Sequence, residues 1–162
     1  MNQLEIIKNK IFDKDRLIHQ LAIWHFHGKK IVWTNGCFDL LHLGHIDYLS
    51  KAKDQGDILI VGVNTDASVK RIKKAGRPIT DENSRASLMA SLRFVDAVLL
   101  FDEETPYNMI KLIQPDVLVK GSDYKAEDIV GYDIVKANGG KIATLDFIEG
   151  FSTSSILEKA CK

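Results

Sequence analysis

Residues 34–45 read Thr34-Asn35-Gly36-Cys37-Phe38-Asp39-Leu40-Leu41-His42-Leu43-Gly44-His45. This stretch follows the apolar run 30–34 and leads into a segment of helical periodicity that ends near Gln55. A buried strand that turns directly into a helix is typical of a parallel α/β sheet. The amide groups at the start of such a helix attract anions, and Gly44 allows close approach to the backbone. The stretch therefore predicts a phosphate-binding turn at the end of the first strand.

The rest of the chain repeats this alternation of short apolar runs with longer helical segments. The runs are rich in Val and Ile, as strands covered on both faces are. The predicted strands are 30–34, 58–64, 97–101, 117–120 and 141–145. The alternation predicts an α/β fold, a doubly wound five-stranded parallel sheet flanked by helices.

A length of 162 residues and 18.2 kDa predicts a single domain. Residues 1–28 form its N-terminal helical segment, with Leu17, Leu21 and Trp24 on one helix face after Asp13, and residues 29–162 form the α/β core. The 45% hydrophobic and 27% charged content is that of a folded globular chain rather than a disordered one.

Charge and sequence pattern exclude several classes of function. The 22 basic side chains are balanced by 22 acidic ones, which argues against a nucleic-acid partner. No apolar run approaches the roughly 18 residues of a membrane span, and the start of the chain lacks a secretory signal, so we expect a cytoplasmic protein without a membrane partner. Cys37 and Cys161 are too far apart in sequence to suggest a zinc knuckle or a disulfide framework.

The H-x-G-H pattern of His42 and His45 is the strongest chemical signal. Two imidazoles one helical turn apart face the same way, and a histidine beside a polyphosphate gains a proton readily. Such a pair neutralises charge that develops on a leaving group. The alternative is a pair of partly exposed helix-cap histidines. The remaining histidines, His19, His25 and His27, fit a solvated helix surface.

A basic segment follows the second strand. Five cations fall within eight residues, with a sixth just beyond them: Lys70, Arg71, Lys73, Lys74, Arg77 and Arg85. Such clustering favours a phosphate clamp. The alternative is a solvated basic loop.

Two later segments also follow strands. Residues 120–124 read KGSDY and residues 150–154 read GFSTS. Hydroxyls at a helix start bind phosphate oxygens, but Ser and Thr are also ordinary helix caps, and Asp123 equally suits a turn. The chain contains neither G-x-x-x-x-G-K-[ST] nor G-x-G-x-x-G, and it has no nucleophile elbow, so it is not predicted to be a P-loop hydrolase, a dehydrogenase or an α/β-hydrolase.

The motif G-x-F-D-x-x-H-x-G-H, with the late S-T-S helix start, resembles the cytidylyltransferase-like nucleotidyltransferase superfamily. More closely, the runs 34–42, 77–79, 102–106, 118–124, 137–140 and 150–154 resemble the adenylyltransferase domain of bacterial heptose biosynthesis. In some bacteria this domain is fused to a sugar kinase. The resemblance covers residues 12–158 and implies a Rossmann-like nucleotidyltransferase fold of the HxGH type. It also implies transfer of AMP from ATP to D-glycero-β-D-manno-heptose 1-phosphate, which yields ADP-heptose and pyrophosphate for the lipopolysaccharide core.

The resemblance also implies residue roles. His42, His45 and Lys74 would be catalytic. The nucleotide would be bound by the histidine pair and by Gly36, Cys37, Phe38, Asp39, Gly121, Asp123, Ser152, Thr153 and Ser154. Anionic groups of the substrates would be bound or positioned by Asp66, Lys73, Lys74, Arg77 and Arg85, and the choice between the two lysines stays open. Mg²⁺ is expected with ATP. A homodimer is also expected, with Trp24, Trp33 or Phe26 as contact residues.

One departure from the wider superfamily bears on the base. Cytidylyltransferases usually carry an arginine three residues before the glycine of the last motif, where this chain has Phe147, which disfavours CTP. The open alternatives are a glycerol 3-phosphate type of cytidylyltransferase and a regulatory module that binds a nucleotide without turnover. A flavodoxin-like domain shares the alternation of elements but gives no reason for H-x-G-H.

Overall fold

The computed structural model describes residues 1–73, 75–122, 125–148 and 150–160. A parallel sheet of six strands forms its centre, in the order β1-β4-β3-β2-β5-β6. The strands are β1 (Ile11–Phe12), β2 (Ile31–Gly36), β3 (Ile58–Asn64), β4 (Ala97–Phe101), β5 (Val117–Gly121) and β6 (Lys141–Leu145). The α/β fold is thereby confirmed.

The structure corrects the predicted strand number from five to six. The added strand, β1, lies in the segment 1–28 that the sequence predicted to be helical, and it pairs with β4 through Ile11 and Val98. Two residues are too few to produce a visible apolar run, and the strand forms because the edge of β4 offers a partner. The N-terminal segment is therefore part of the sheet rather than an appendage to it.

Helices cover both faces of the sheet. They are α1 (Gln3–Asn9), α2 (Lys14–Phe26), α3 (Leu43–Lys53), α4 (Asp66–Ile72), α5 (Glu82–Ser91), α6 (Tyr107–Ile113), α7 (Tyr132–Ala137) and α8 (Thr153–Ala160), with a 3-10 turn at Ala126–Asp128. The helix that the sequence places after Asp13 is α2, and the Asp13 side chain caps it by accepting a hydrogen bond from the Arg16 amide.

Successive strand residues face two separate hydrophobic cores. Val32 and Val61 pack with α3 and α5 on one face, whereas Ile31, Trp33 and Ile60 pack with α2, α6 and α7 on the other. Trp33 is fully buried, so the expectation that it lines a contact between protomers is wrong. Its ring passes over Gly62, where a Cβ would lie 2.4 Å from the indole, so only glycine fits there.

The strand order places a switch point at the middle of the sheet. From β2 the chain proceeds through β3 and β4 on one side, and β5 and β6 lie on the other. In open α/β sheets a crevice forms where the order reverses, outside the carboxyl ends of the strands. The residues that follow β2 and β5 therefore border the predicted binding crevice. Within the described ranges, no helix is long and apolar enough to cross a membrane.

Candidate active site

A cleft of about 750 Å³ opens at this switch point. It is bordered by the end of β2, the start of α3, the segment after α4, the end of β5 and the start of α8. The cleft brings together many of the residues that the sequence singled out: Gly36, Cys37, Phe38, Asp39, His42, His45, Lys73, Arg77, Gly121, Ser152, Thr153 and Ser154. Two further candidates, Lys74 and Asp123, lie outside the described residues.

The sequence analysis gave no individual role to several residues that line the cleft. They are Asn35, Tyr48, Val69, Lys120 and Phe151. Asn35 and Lys120 stand at the carboxyl ends of β2 and β5, so the rule about strand ends was a signal for both. The Lys120 Nζ donates a hydrogen bond of 2.7 Å to the Asn35 Oδ1, which joins the two strand ends across the switch point.

The two histidines of the motif form a stacked pair. The ring centroids of His42 and His45 lie 3.8 Å apart with an interplanar angle of 22°, and the edge of Phe38 packs against His45 at 5.4 Å. His42 occupies the N-cap position of α3, yet its side chain makes no capping hydrogen bond. The alternative that the histidines only cap the helix is therefore disfavoured, because the His42 ring accepts no hydrogen bond from the first amides of α3.

Burial lowers the pKa of both imidazoles. Burial alone lowers the pKa of His42, and burial together with the neighbouring His42 lowers the pKa of His45 to about 4, against a smaller opposing effect of the Leu40 backbone. The unliganded pair is thus neutral at pH 7. Each neutral ring carries one N–H donor, and a polyphosphate beside the rings would raise both pKa values.

The geometry of the turn depends on a strained residue and a glycine. Phe38 has a φ of +48°, a conformation that costs free energy in a non-glycine residue and that clusters at functional sites. A Cβ on Gly44 would lie 3.1 Å from the His42 ring and 3.3 Å from the Cβ of Phe151. Gly44 thus allows the histidine turn and the segment before α8 to approach each other.

Asp39 ties the histidine turn to the basic segment. Its carboxylate accepts hydrogen bonds from the Arg77 Nη1 at 2.7 Å, the Ile79 amide at 2.8 Å and the Thr80 amide at 3.0 Å. Burial raises the pKa of this carboxyl, but the bonds from Thr80, Arg77 and Ile79 outweigh burial, and its pKa lies below the usual value. With its side chain only 6% exposed, Asp39 positions the cleft wall rather than offering a free carboxylate to a ligand.

Arg85 is placed differently from the sequence prediction. Its side chain is fully buried and does not line the cleft. The guanidinium donates hydrogen bonds to the Cys37 carbonyl at 2.6 Å, the Thr80 carbonyl at 3.0 Å and the Asp66 Oδ1 at 2.8 Å. Because its donors are directed at protein groups, Arg85 does not hold a substrate anion, and Asp66 is its partner. Through these hydrogen bonds the two residues hold the Cys37 backbone in place.

Cys37 contributes its backbone rather than its thiol to this arrangement. Burial raises the pKa of the thiol, and the nearby cations Lys73, Arg85 and Arg77 only partly oppose that effect. A neutral thiol is a weak nucleophile. Its carbonyl, by contrast, is the acceptor that fixes the turn on Arg85.

The start of α8 combines both roles that the sequence left open. The Ser152 Oγ accepts a hydrogen bond from the Ser155 amide at 3.1 Å, and the Ser155 Oγ donates to the Ser152 carbonyl at 2.8 Å, so these serines cap the helix. Thr153 and Ser154 line the cleft next to this cap. The helix start therefore borders the same space as the histidine pair.

The low pKa of His45 makes a prediction for stability. In the unfolded chain the imidazole titrates near 6.5, so between pH 6.5 and 4 the unfolded state binds more protons and stability falls as the pH decreases. His45→Gln has no imidazole to titrate. We therefore expect its free energy of unfolding to decrease by about 1–2 kcal/mol less than that of the wild type between pH 7.5 and pH 5. Urea unfolding at pH 7.5 and pH 5 measures it. The prediction fails if the wild type and the variant lose the same stability between these pH values.

The sequence of the chain matches a family model and is similar to those of known proteins. The family model described as Cytidylyltransferase-like matches residues 33–159. The protein named bifunctional protein HldE is 52% identical in Citrifermentans bemidjiense, over 93% of this chain and 31% of that protein. In Nitratiruptor sp. it is 57% identical, over 83% of this chain and 28% of that protein. The chain thus spans about a third of the length of these curated relatives.

Two solved structures are also similar to this chain. The lipopolysaccharide core biosynthesis protein of Thermoplasma volcanium is 34% identical, with a TM-score of 0.61 over 75% of this chain and 98% of that one. Pantoate-beta-alanine ligase of Francisella tularensis, solved with an ATP analogue and beta-alanine, has a TM-score of 0.58 at 16% identity, over 91% of this chain and 75% of that one, and shows likeness of fold alone. By its motif, its fold and the match of the family model, the chain belongs to the cytidylyltransferase-like family.

Proposed function

We propose that the protein is an adenylyltransferase that moves AMP from ATP to D-glycero-β-D-manno-heptose 1-phosphate and releases pyrophosphate. The observation that carries the proposal is the stacked pair of His42 and His45 at the start of α3, directed into a cleft at the switch point of the sheet. The heptose acceptor is supported by the sequence motifs and by the likeness to HldE and to a lipopolysaccharide core biosynthesis protein.

The reaction needs charge stabilisation and positioning more than a strong base. A sugar phosphate has its second pKa near 6, so at pH 7 its oxygen is already an ionised nucleophile. That oxygen forms a bond to the α-phosphorus of ATP as the bond between this phosphorus and the β-bridging oxygen breaks, and pyrophosphate leaves with the electron pair. The N–H groups of His42 and His45 stabilise the negative charge that develops on the phosphoryl oxygens.

Cations around the cleft suit the anionic substrates. Lys73 and Arg77 border it on the side of α4, and Lys120 borders it at β5. We propose that the first two bind the leaving pyrophosphate and that Lys120 contacts the acceptor phosphate. The sequence resemblance implies that Lys74 and Asp123 would also bind the substrates.

The aromatic wall of the cleft supports adenine as the base. Phe147 stacks on Tyr48 with ring centroids 5.3 Å apart and an interplanar angle of 27°. Phe151 adds a second apolar surface to the cleft. Such a wall offers stacking to a purine, whereas the arginine found here in cytidylyltransferases would offer hydrogen bonds to a cytosine.

We also propose that Mg²⁺ enters with ATP. The described part of the chain contains no group of three or more His, Cys, Asp or Glu side chains that could hold a metal ion, so these residues do not form a cage for the ion. The phosphate oxygens of ATP are its natural ligands. A homodimer is a further proposal, for which exposed Phe26 on α2 supplies apolar surface.

Pyrophosphate release tests the substrate assignment. We expect release with ATP and heptose 1-phosphate, and at least about 100-fold slower release when CTP replaces ATP or glycerol 3-phosphate replaces the sugar phosphate. Release with CTP and glycerol 3-phosphate alone would show a cytidylyltransferase and contradict the proposal. ATP binding without release from any pair would indicate a regulatory module instead.

A further inference from the structure

A second cavity adjoins the cleft and has no part in the nucleotide site described above. Its volume is about 180 Å³. Two segments line it, the loop 104–106 after β4 and the residues 128–130 at the end of the 3-10 turn, together with Lys120. We call this cavity the acceptor pocket.

Among the described residues, Lys120 lines both the acceptor pocket and the cleft, and no other residue does so. Its Nζ donates a hydrogen bond to Asn35, which lines the cleft and not the pocket. The ammonium group is thus fixed on the boundary between the two spaces. A phosphate bound beside it would reach the cleft, while whatever the phosphate carries would extend into the pocket.

The chemistry of the acceptor pocket fits a sugar. The exposed carboxylates of Glu104 and Asp128 and the hydroxyl of Thr105 offer acceptors for sugar hydroxyls. Buried Pro106 and Ile129 offer apolar surface to the C–H groups of a ring. Two carboxylates would repel a polyphosphate, and the volume is about a quarter of that of the cleft, which favours a smaller ligand than a nucleotide.

The geometry of the proposed reaction also requires a separate space for the sugar beside the cleft. The attacking oxygen belongs to the acceptor phosphate and must meet the α-phosphorus inside the cleft, in line with the leaving group. The sugar must therefore lie outside the cleft but next to it. Such a space, with a cation at its entrance, is what the pocket beside Lys120 provides.

We propose that the acceptor pocket binds the sugar moiety of the sugar 1-phosphate, with Glu104 and Asp128 as acceptors for its hydroxyls and Lys120 at its phosphate. This inference rests on the proposed function, whose acceptor it locates. It makes Glu104 and Asp128 the residues that set specificity for a polyhydroxylated acceptor, separately from the residues that bind ATP.

The test compares Glu104→Gln, Asp128→Asn and the double variant with the wild type. Glu127→Gln is the matched control, because Glu127 is an exposed neighbour of Asp128 on the same 3-10 turn and does not line the pocket. Steady-state kinetics give the KM for heptose 1-phosphate and for ATP, and calorimetry gives the Kd for the sugar phosphate without turnover. Thermal unfolding verifies that each variant is folded.

We expect each single variant to raise the KM and the Kd for heptose 1-phosphate at least about tenfold, the double variant to raise them further, and the KM for ATP to change less than about twofold. Glu127→Gln should match the wild type. Normal turnover by the wild type with an unchanged sugar-phosphate KM in the double variant would overturn the pocket and leave the adenylyltransferase intact. Binding that depends on Glu104 and Asp128 without turnover would support the pocket and overturn the adenylyltransferase, and no binding by the wild type would overturn both.

Discussion

Replacing His45 with alanine is expected to lower kcat by about 10²- to 10³-fold while the Kd for ATP changes less than about fivefold. In the proposed mechanism the difference arises because the imidazole pair, 3.8 Å apart at the start of α3, stabilises charge that appears on the phosphoryl oxygens only as the bond to pyrophosphate breaks. In the proposed ground-state complex, ATP would keep its contacts with the cations and the α8 start that line the cleft. His42→Ala is expected to behave in the same way.

The measurements are single-turnover rates at saturating ATP and the Kd for ATP from calorimetry. His19→Ala is the matched control, because His19 is an exposed residue of α2 far from the motif in sequence. Its kinetics should equal those of the wild type. Parallel losses of turnover and ATP affinity in the His45 and His42 variants would contradict a role in the transition state.

Replacing Arg85 with lysine is the second change with a large expected effect. Lysine keeps the charge but cannot hold Cys37, Thr80 and Asp66 together, because its ammonium lacks the planar fork of a guanidinium. Buried carbonyls lose their donors, which predicts a decrease in the free energy of unfolding of about 2–4 kcal/mol. We also expect kcat to fall about 10- to 100-fold, because the turn that carries the histidines loses its support.

A second arginine variant, Arg16→Lys, distinguishes a purely structural role of Arg85 from a role in positioning the histidine turn. Arg16 also donates to backbone carbonyls, those of Asn9 and Ile11, but it lies on α2. Arg16→Lys should reduce stability without changing kcat. Kinetics are measured at a temperature where both variants are folded. An Arg85→Lys enzyme with normal kcat in this range would show that Arg85 stabilises the fold only.

The parts of the fold that sequence reasoning predicted are those with a local signal. Three strands, β3, β4 and β6, begin and end where their apolar runs do. The strand β1 has no such signal, since Ile11 and Phe12 become a strand only through pairing with β4. The burial of Trp33 likewise depends on tertiary structure, because its ring fills the space above Gly62.

The same distinction separates the site residues. Contiguity in sequence made the H-x-G-H turn and the Ser-Thr-Ser run at the start of α8 visible. Arg85 was interpreted as a ligand for anions because its charge is visible in the sequence, whereas two of its three protein acceptors, on Cys37 and Asp66, come from distant segments. Lys120 and Asn35 gave only the weak signal of standing at strand ends, and their pairing requires β2 and β5 to be neighbours.

The most direct test of the account follows the α-phosphorus of ATP. The wild-type protein is incubated with ATP carrying a ³²P label at the α-position, Mg²⁺ and heptose 1-phosphate, and the products are separated by anion exchange. The account predicts that the label moves into an ADP-sugar while unlabelled pyrophosphate forms in equal amount. Label that stays in ATP, or that appears in ADP after transfer of the γ-phosphoryl group, would contradict it.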